Sequence, residues 1–413
     1  MKKKIRDANK TLIAPIAGIA FGLIAYEFFP AHFNDLFVKW ILTPLGNVFL
    51  RGLKMIVVPL VLFSLISGAA SIKDIKKLGR VGGKILAYYV LTTALAVTIA
   101  LILANVINPG TGLNIPLPTE YKVAEVPFIM DVFTNIIPIN LIESLVKGNM
   151  LQIIIFALLF GISITLIGEP AKPLLSVINQ VNNVMIRILG IVTLAAPYGV
   201  FALISKVLMT QGLDVLLPLM KYTFTILLVL LIQMLLVYGS ALKILGKVNP
   251  INFYKKFWTV MLVALSTSSS NATIPVNMDT CQKKLGVPEY ISSFTIPLGA
   301  TINMDGTAIM QGVAALFIAQ LFGVDLGFTQ QLLIILTTTL ASIGTAVVPG
   351  AGTVMLAMVL QQVGIPLEGI AIVLSVDRII DMCSTVVNIT GDAVGAVIVS
   401  RSEKELDIDV YNS

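Results

Sequence analysis

Charged side chains are scarce in this sequence. Only 12% of its 413 residues are Asp, Glu, Lys or Arg, and 57% are hydrophobic. A typical soluble domain carries about 25% charged residues. Apolar runs at 11–29, 85–106 and 224–238 approach the roughly 20 residues that a bilayer-crossing helix needs. The shortage of charge excludes a water-soluble globular protein and predicts a multi-pass membrane protein in the lipid bilayer.

Cysteine and histidine are also rare. Cys281 and Cys383 are the only cysteines and His32 is the only histidine. Two cysteines are too few for a disulfide framework, and neither has a histidine close to it in the sequence. We expect two free thiols and no functional role for His32.

Basic residues are concentrated in short loops, although the formal net charge is only +6. These loop residues are Lys73, Lys76, Lys77, Arg80, Lys243, Lys247, Lys255, Lys256, Lys283 and Lys284. Loops of this kind are cytoplasmic in membrane proteins. The pattern therefore predicts a cell (plasma) membrane protein with cytoplasmic N- and C-termini, and it does not favour a nucleic-acid partner.

Apolar stretches predict helices over 11–29, 38–72, 81–108, 130–168, 173–208 and 217–244. The C-terminal half differs, because two shorter units, about 252–284 and 328–364, each have apolar arms around a tip of small and hydroxyl residues. Lysines flank the first unit at both ends, whereas no basic residue flanks the second. We predict two re-entrant hairpins that enter from opposite sides, an inverted repeat typical of secondary transporters.

Four aspartates lie in apolar C-terminal sequence: Asp305, Asp377, Asp381 and Asp392. Each costs roughly 2.5–3.5 kcal/mol at a helix centre, and Arg378 is the only basic residue nearby. Bound cations held by oxygen ligands would supply the missing charge. Protonation of a carboxylate is the alternative. On the last helix, polar residues from Asp377 to Asp392 form one stripe, which must face protein or a cavity.

Four ordered motifs carry a resemblance to a known family. They are the Ser-rich tip at 266–270, the sequence Asn303-Met304-Asp305-Gly306-Thr307, the tip at 342–352, and the residues Asp381, Thr385, Asn388 and Asp392. Together they resemble the glutamate/neutral amino-acid transporter family of dicarboxylate/amino acid:cation symporters, over the whole chain.

The resemblance implies an all-α membrane protein with eight transmembrane helices and two opposed re-entrant hairpins. It implies a homotrimer that works as an elevator. Residues 1–76 and 130–215 would form the scaffold and trimerisation domain, and residues 77–129 and 216–413 the mobile transport domain. It also implies a transporter rather than an enzyme.

By motif position, the resemblance implies substrate contacts and three sodium sites. The substrate contacts are Ser270, Thr307, Val347, Val348, Gly352, Asp381, Ser384, Thr385 and Asn388, with Asp381 receiving the amino group. The first Na⁺ site would use Gly299, Asn303, Asn388 and Asp392. The second would use Thr301, Ser342, Ile343 and Thr345. The third would use Tyr89, Thr92, Thr93, Asn303 and Asp305.

Departures from the family pattern bear on the substrate. Acidic-substrate members have an arginine where this chain has Ser384, and archaeal ones have another where it has Ser268. A second substrate carboxylate would then lack a bidentate partner. We therefore expect import of a small neutral amino acid of the alanine, serine or threonine type, with an acidic amino acid or dicarboxylate as the alternative. Arg378 either pairs with Asp377 or Asp381 or reaches a substrate carboxylate.

Two other functional classes would account for part of this sequence pattern. The same oxygen-rich residues could line an ion channel. Paired intramembrane aspartates could also suggest an aspartyl protease, but that reading leaves both hairpin tips unexplained. A further difference is Gln311, which stands where proton-coupled mammalian members have a glutamate, so we expect no coupled proton from that position.

Overall fold

All regular structure in the described part of the chain is helical, as predicted. The structure, a computed structural model, describes residues 17–70, 79–112, 137–212, 216–342 and 351–413. The first ten helices are α1 (Ala17–Phe28), α2 (Ala31–Phe37), α3 (Thr43–Ala70), α4 (Gly79–Ile107), α5 (Leu141–Lys147), α6 (Met150–Ile167), α7 (Lys172–Leu194), α8 (Ala196–Gln211), α9 (Leu216–Ile232) and α10 (Gly239–Ile244). The rest are α11 (Pro250–Thr267), α12 (Ser270–Lys283), α13 (Glu289–Ile302), α14 (Asp305–Leu321), α15 (Phe328–Ser342), α16 (Ala351–Gln362), α17 (Ile370–Leu374), α18 (Asp377–Ser402) and α19 (Ile408–Asn412).

Several of these helices are long and apolar enough to cross a membrane. Five such stretches occur among the described residues: Arg80–Ile107, Glu169–Val192, Leu216–Ile244, Glu289–Leu321 and Asp377–Ser402. They support a multi-pass membrane protein. A π-helical segment, Gln233–Tyr238, joins α9 to α10 without a break.

Two of the longer predicted helices, for which a tilt or a break was expected, are broken. Within the predicted helix 130–168, Gly148 ends α5 in a left-handed conformation with φ 69°, which glycine adopts without steric cost. Within the predicted helix 173–208, α7 ends at Leu194 and α8 begins with Pro197 in its first turn. Proline lacks a backbone N–H and clashes with the preceding turn, so a helix starts there rather than continues.

The helices pack in two groups. α3 packs against α6, α7 and α8, whereas α18 packs against α11, α12, α13 and α14. α4 contacts α9, α14, α15 and α18. These contacts place α18, which carries the polar stripe, in the middle of the second group. The division into a scaffold and a transport domain stays a prediction.

The two predicted hairpins correspond to the helix pairs α11/α12 and α15/α16. Ser268, with φ 48°, ends α11, and the Oγ of Ser269 accepts a hydrogen bond from Ala272 N (3.3 Å), which caps α12. In the second pair the connecting residues 343–350 lie outside the described residues. The re-entrant insertion of both pairs into a membrane stays a prediction.

The C-terminal segment folds back onto the base of α11/α12. Asp407 N donates to Gly286 O (2.9 Å), and the hydroxyl of the buried Tyr411 donates to Asn249 O (3.0 Å). The Nζ of Lys256 donates to Val410 O (2.7 Å) and to Tyr411 O (2.9 Å). The tail is thus held against the first helix pair at several points.

Candidate functional site

The chain leaves its helical path between α13 and α14. Asn303 (φ −91°, ψ 83°) and Met304 (φ −110°, ψ 44°) separate the two helices, and Asp305 begins α14. The predicted interruption at the 303–307 motif is therefore present. Asn303 and Asp305 are both fully buried, so their polar atoms must find partners within the protein or from a ligand.

Asp305 is surrounded by neutral hydrogen-bond donors. Its Oδ1 accepts from the Thr93 hydroxyl at 2.5 Å, and its Oδ2 accepts from Tyr238 Oη at 2.8 Å and from Gln233 Nε2 at 2.9 Å. No basic side chain in the described part of the chain forms an ion pair with it. Both oxygens are hydrogen-bonded, but the negative charge has no counter-charge.

The third predicted sodium site is only partly assembled around Asp305. Thr93 contacts Asp305 directly, and the Thr92 hydroxyl, which donates to Tyr89 O (3.2 Å), also lies within hydrogen-bonding reach of Asp305. The Tyr89 hydroxyl instead donates to Thr295 O (3.0 Å). Sequence reasoning missed Gln233 and Tyr238. In the sequence, Gln233 and Tyr238 are distinguished only as two polar residues within an otherwise apolar run.

The first predicted sodium site is brought together by α13, α14 and α18. Asn303 Nδ2 donates to Asp392 Oδ1 (3.0 Å) and to Asn388 O (3.1 Å). Two buried oxygens, Asp392 Oδ2 and Asn303 Oδ1, have no hydrogen-bond partner among the described residues. A Cβ on Gly299 would meet Asp392 Oδ1 and the Tyr89 hydroxyl, so only glycine allows the α13 backbone this close to the carboxylate.

These oxygens suit a hard cation. Carboxylate, amide and backbone carbonyl oxygens are the ligands that such ions prefer, and an unpaired buried acceptor is costly when left without a donor or an ion. The residues that would hold Na⁺ here are Gly299, Asn303, Asn388 and Asp392. They fit the ion by donor type and by burial, and two of them, Asn303 and Asp392, carry an oxygen that has no partner among the described residues.

The second predicted sodium site is not brought together by the described residues. The Thr301 hydroxyl donates to Leu298 O (2.8 Å), and the Ser342 hydroxyl donates to Thr339 O (2.8 Å). Ile343 and Thr345 lie outside the described residues. This site stays a prediction.

Several predicted substrate residues are adjacent where α14 meets α18. Asn388 Oδ1 accepts from Gly306 N (2.7 Å), and its Nδ2 donates to Thr307 Oγ1 (3.3 Å). A Cβ on Gly306 would meet the backbone of Ser384, so the two helices touch there. The Ser384 hydroxyl is buried and has no partner among the described residues. A Cβ on Gly352 would lie 3.6 Å from Thr307 Cγ2, which places the start of α16 beside the same residues.

The polar residues at the start of α18 lie on a more open surface. Arg378 Nη1 lies 3.9 Å from Asp381 Oδ2, and the two side chains are 36% and 47% exposed. The Thr385 hydroxyl donates to Asp381 O (2.8 Å). Arg378 thus forms a loose ion pair with Asp381, and its contact with a substrate carboxylate stays a prediction. Ser270 is buried at the start of α12, and Val347 and Val348 lie outside the described residues.

Comparison with known proteins identifies the family. The family model described as the sodium:dicarboxylate symporter family matches residues 8–402. The chain belongs to this family. It is 37% identical over 411 residues to a "Proton/sodium-glutamate symport protein" of Geobacillus stearothermophilus, with 97% of this chain and 95% of that protein covered.

Two further relatives have related names. The chain is 34% identical over 416 residues to the "Proton/glutamate-aspartate symporter" of Escherichia coli (strain K12), covering 98% of this chain and 94% of that protein. It is also 34% identical over 376 residues to a "C4-dicarboxylate transport protein" of Bacillus subtilis (strain 168), covering 88% of each.

These similarities confirm a membrane transporter rather than an enzyme and correct one expectation. The relatives carry the names of acidic substrates, whereas Ser384 in the sequence favoured the neutral alanine, serine and threonine branch. Their names support the acidic alternative better. Two of the three names mention protons, alone or beside sodium, and the third names no coupling ion.

Proposed function

We propose that this protein is a sodium-coupled symporter that imports an acidic amino acid, aspartate or glutamate. The observation that carries the proposal is a pair of buried oxygens, Asp392 Oδ2 and Asn303 Oδ1, that have no hydrogen-bond donor among the described residues, in a chain of the sodium:dicarboxylate symporter family. These oxygens would coordinate a transported cation, and the substrate would bind next to them.

Sodium accounts for this geometry better than a proton does. A proton on Asp392 would neutralise one carboxylate and donate to one acceptor. A cation instead takes several oxygen ligands at once, and here Asn303 Nδ2 donates to both Asp392 Oδ1 and Asn388 O, so oxygens of these three residues lie close together. Coupling follows because the side chain of Asn388, whose backbone carbonyl belongs to the ion site, bonds Gly306 and Thr307 on the substrate side. Ion binding would therefore order the residues that contact substrate.

Arg378 supplies the positive charge that Ser384 does not. Its guanidinium lies near Asp381 without a hydrogen bond to it, since 3.9 Å is too long, and its side chain is more than a third exposed. A guanidinium can donate two parallel hydrogen bonds to a carboxylate. We propose that Arg378 receives the substrate's side-chain carboxylate while Asp381 receives the amino group. The need for an amino-group partner favours an amino acid over a C4-dicarboxylate.

A small neutral amino acid is the second candidate. Its support is the Ser384 hydroxyl, which is buried and has no partner among the described residues. A hydroxyl can exchange one hydrogen bond with a serine or threonine side chain but cannot neutralise a carboxylate. The acidic and the neutral candidate substrates differ in which residue would contact the substrate side chain, Arg378 or Ser384.

We further propose the family's architecture for this chain: eight transmembrane helices with two opposed hairpins, a homotrimer, and an elevator motion of residues 77–129 and 216–413. The packing of α3 with α6–α8, separate from the packing of α18 with α11–α14, supports two units. Light scattering of the detergent-solubilised protein tests the trimer, since a mass of one protomer would exclude it.

Uptake by proteoliposomes tests the function. Protein reconstituted into sealed vesicles with an inward sodium gradient should concentrate labelled aspartate, and an equal potassium gradient should give none. Unlabelled glutamate should compete well, whereas succinate, alanine, serine and threonine should compete poorly. Stronger competition by serine or alanine than by glutamate would establish the neutral candidate. Flux that never exceeds the equilibrium distribution would indicate a channel.

A further inference from the structure

A basic cavity lies away from the substrate site, where α10, α11, α18 and the C-terminal segment meet. Its volume is ≈ 820 Å³, and Lys243, Lys247 and Arg401 line it together with the amides of Asn249 and Asn412 and the side chain of Ile251. No acidic residue lines it. None of the three cations forms an ion pair with another described residue.

The acidic residues nearest in sequence to Arg401 are engaged elsewhere. Glu403 accepts from Lys84 Nζ at 2.6 Å and also binds Arg80. Glu405 accepts from the Tyr290 hydroxyl at 2.7 Å, and Asp407 Oδ1 accepts from Val410 N at 3.0 Å. Positive charge is therefore concentrated in the cavity while the neighbouring negative charge faces other partners. Like charges held close together repel, so an anion would stabilise this arrangement.

The walls of the cavity are held in place. Lys247 adopts a left-handed conformation, φ 50°, which is strained for a residue with a side chain and turns the chain from α10 into α11. Asn249 caps α11 through its Oδ1, which accepts from Ile251 N at 2.9 Å, so its amide nitrogen is free to donate to a ligand. The C-terminal wall is fixed by the Lys256 and Tyr411 hydrogen bonds already described.

Exposed apolar side chains surround the same place. Ile244 is 68% exposed, Leu245 58% and Ile251 61%. Ile244 ends α10, Leu245 follows it, and Ile251 lies in the first turn of α11. In a membrane protein such side chains contact acyl chains. A ligand that joins an anionic group to apolar chains matches both features, and basic pockets at the ends of membrane helices bind such head groups.

We propose that this cavity binds the phosphate of an anionic phospholipid. Lys243, Lys247 and Arg401 contact the phosphate, Asn249 and Asn412 donate to the remaining head-group oxygens, and the acyl chains lie along Ile244, Leu245 and Ile251. The lipid bridges α10, α11 and the end of α18, so it stabilises the folded protein. A soluble phosphate anion shares the head-group chemistry but not the apolar contacts.

The test compares thermal unfolding of the purified full-length protein in detergent with added lipids. Phosphatidylglycerol should raise the melting temperature by about 3 °C or more, and phosphatidylcholine should not. The triple variant Lys243→Gln/Lys247→Gln/Arg401→Gln should lose this shift. A control with equal charge loss, Lys255→Gln/Lys284→Gln/Lys404→Gln, replaces three lysines that do not line the cavity and should keep it.

Each possible result either supports the proposed lipid site or overturns it. If both triple variants keep the shift, or if both lose it, the cavity is not the site and the proposal is overturned. If sodium phosphate in phosphatidylcholine gives the full shift at matched ionic strength, the ligand is a soluble anion and the lipid assignment is overturned. Should the triple variant fail to fold, Lys243→Gln alone provides the comparison. Native mass spectrometry should then show fewer phosphatidylglycerol adducts than for the wild-type protein, and equal numbers would refute the proposal.

Discussion

Asn303 Nδ2 donates to Asp392 Oδ1 across 3.0 Å, and this contact leaves the second carboxylate oxygen and the Asn303 amide oxygen, among the described residues, without partners. The amide thus fixes the orientation of the carboxylate while its own oxygen stays available. These two buried acceptors remain available to a ligand.

Replacing Asp392 should abolish sodium coupling. In Asp392→Asn the cation loses a charged ligand, and breaking such a buried charge interaction costs on the order of 3 kcal/mol, about a hundredfold in affinity. Sodium-dependent uptake should fall by that order when sodium is limiting. The matched control is Asp279→Asn, which removes an exposed carboxylate paired with Lys283 and should leave uptake intact. Full uptake by Asp392→Asn with an unchanged sodium requirement would exclude the assigned ion site.

An arginine introduced at position 384 should compensate for the loss of Arg378. Arg378→Gln should weaken aspartate competition by about ten- to a hundredfold, because a charge-assisted pair of hydrogen bonds is worth roughly 1.5–3 kcal/mol. Adding Ser384→Arg in that background should restore it, since Ser384 lies on the same helix and faces the Thr307 side. Arg187→Gln, an exposed arginine on α7, is the control. Unchanged aspartate competition in Arg378→Gln, with stronger competition by serine, would assign the pocket to neutral substrates.

Gln311 should carry no transported proton. The residue is buried in α14 and its amide cannot titrate. Gln311→Glu should therefore add a pH dependence to uptake that the wild-type protein lacks at this position. Substrate-driven acidification of proteoliposomes, measured at a fixed sodium concentration, distinguishes the Gln311→Glu variant from the wild-type protein. Acidification by the wild-type protein as strong as by Gln311→Glu would show that a proton enters by another residue, and Asp392 would be the first to examine.

Glu403, which follows the end of α18, should make the thermal stability of the protein depend on pH. Hydrogen bonding to Lys84, together with Arg80, lowers the pKa of Glu403 below its usual value of 4.5. Because the folded state has the lower pKa, the interaction stabilises the protein above pH 4.5 and its contribution disappears as the pH falls through the folded pKa. The wild-type melting temperature should exceed that of Glu403→Gln at neutral pH, and the two should converge in acid. Glu27→Gln, an exposed glutamate on α1, should show no such difference.

The sequence anticipated the helical class and the meeting of the 303–307 motif with the last helix, because buried polar stripes leave a strong pattern in an apolar chain. It did not reveal Gln233 and Tyr238 beside Asp305. Their position depends on how α9 and its π-helical extension pack against α14, which no local pattern encodes. Breaks in the longer helices were expected, but their positions at Gly148 and Ala195 were not predicted, since the apolar pattern does not mark where a helix ends.

The substrate was harder to predict for a related reason. Ser384 was interpreted as the residue that reads the substrate side chain, and its lack of charge suggested a neutral ligand. The sequence also offered Arg378 as a partner for a substrate carboxylate, but the motif positions did not decide between Arg378 and Ser384. In the folded helix Arg378 Nη1 lies 3.9 Å from Asp381 Oδ2, which is compatible with the acidic substrate proposed above.

The tail that folds back onto α11/α12 has a consequence for how the protein is made. Residues 407–411 complete the base of a helix pair that is synthesised well over a hundred residues earlier. Until residues 407–411 have been synthesised, Lys256 has Lys284 O as an acceptor but lacks Val410 O and Tyr411 O, and Asn249 O lacks the Tyr411 hydroxyl. The first helix pair therefore reaches its full set of contacts only after α13–α18 have been translated.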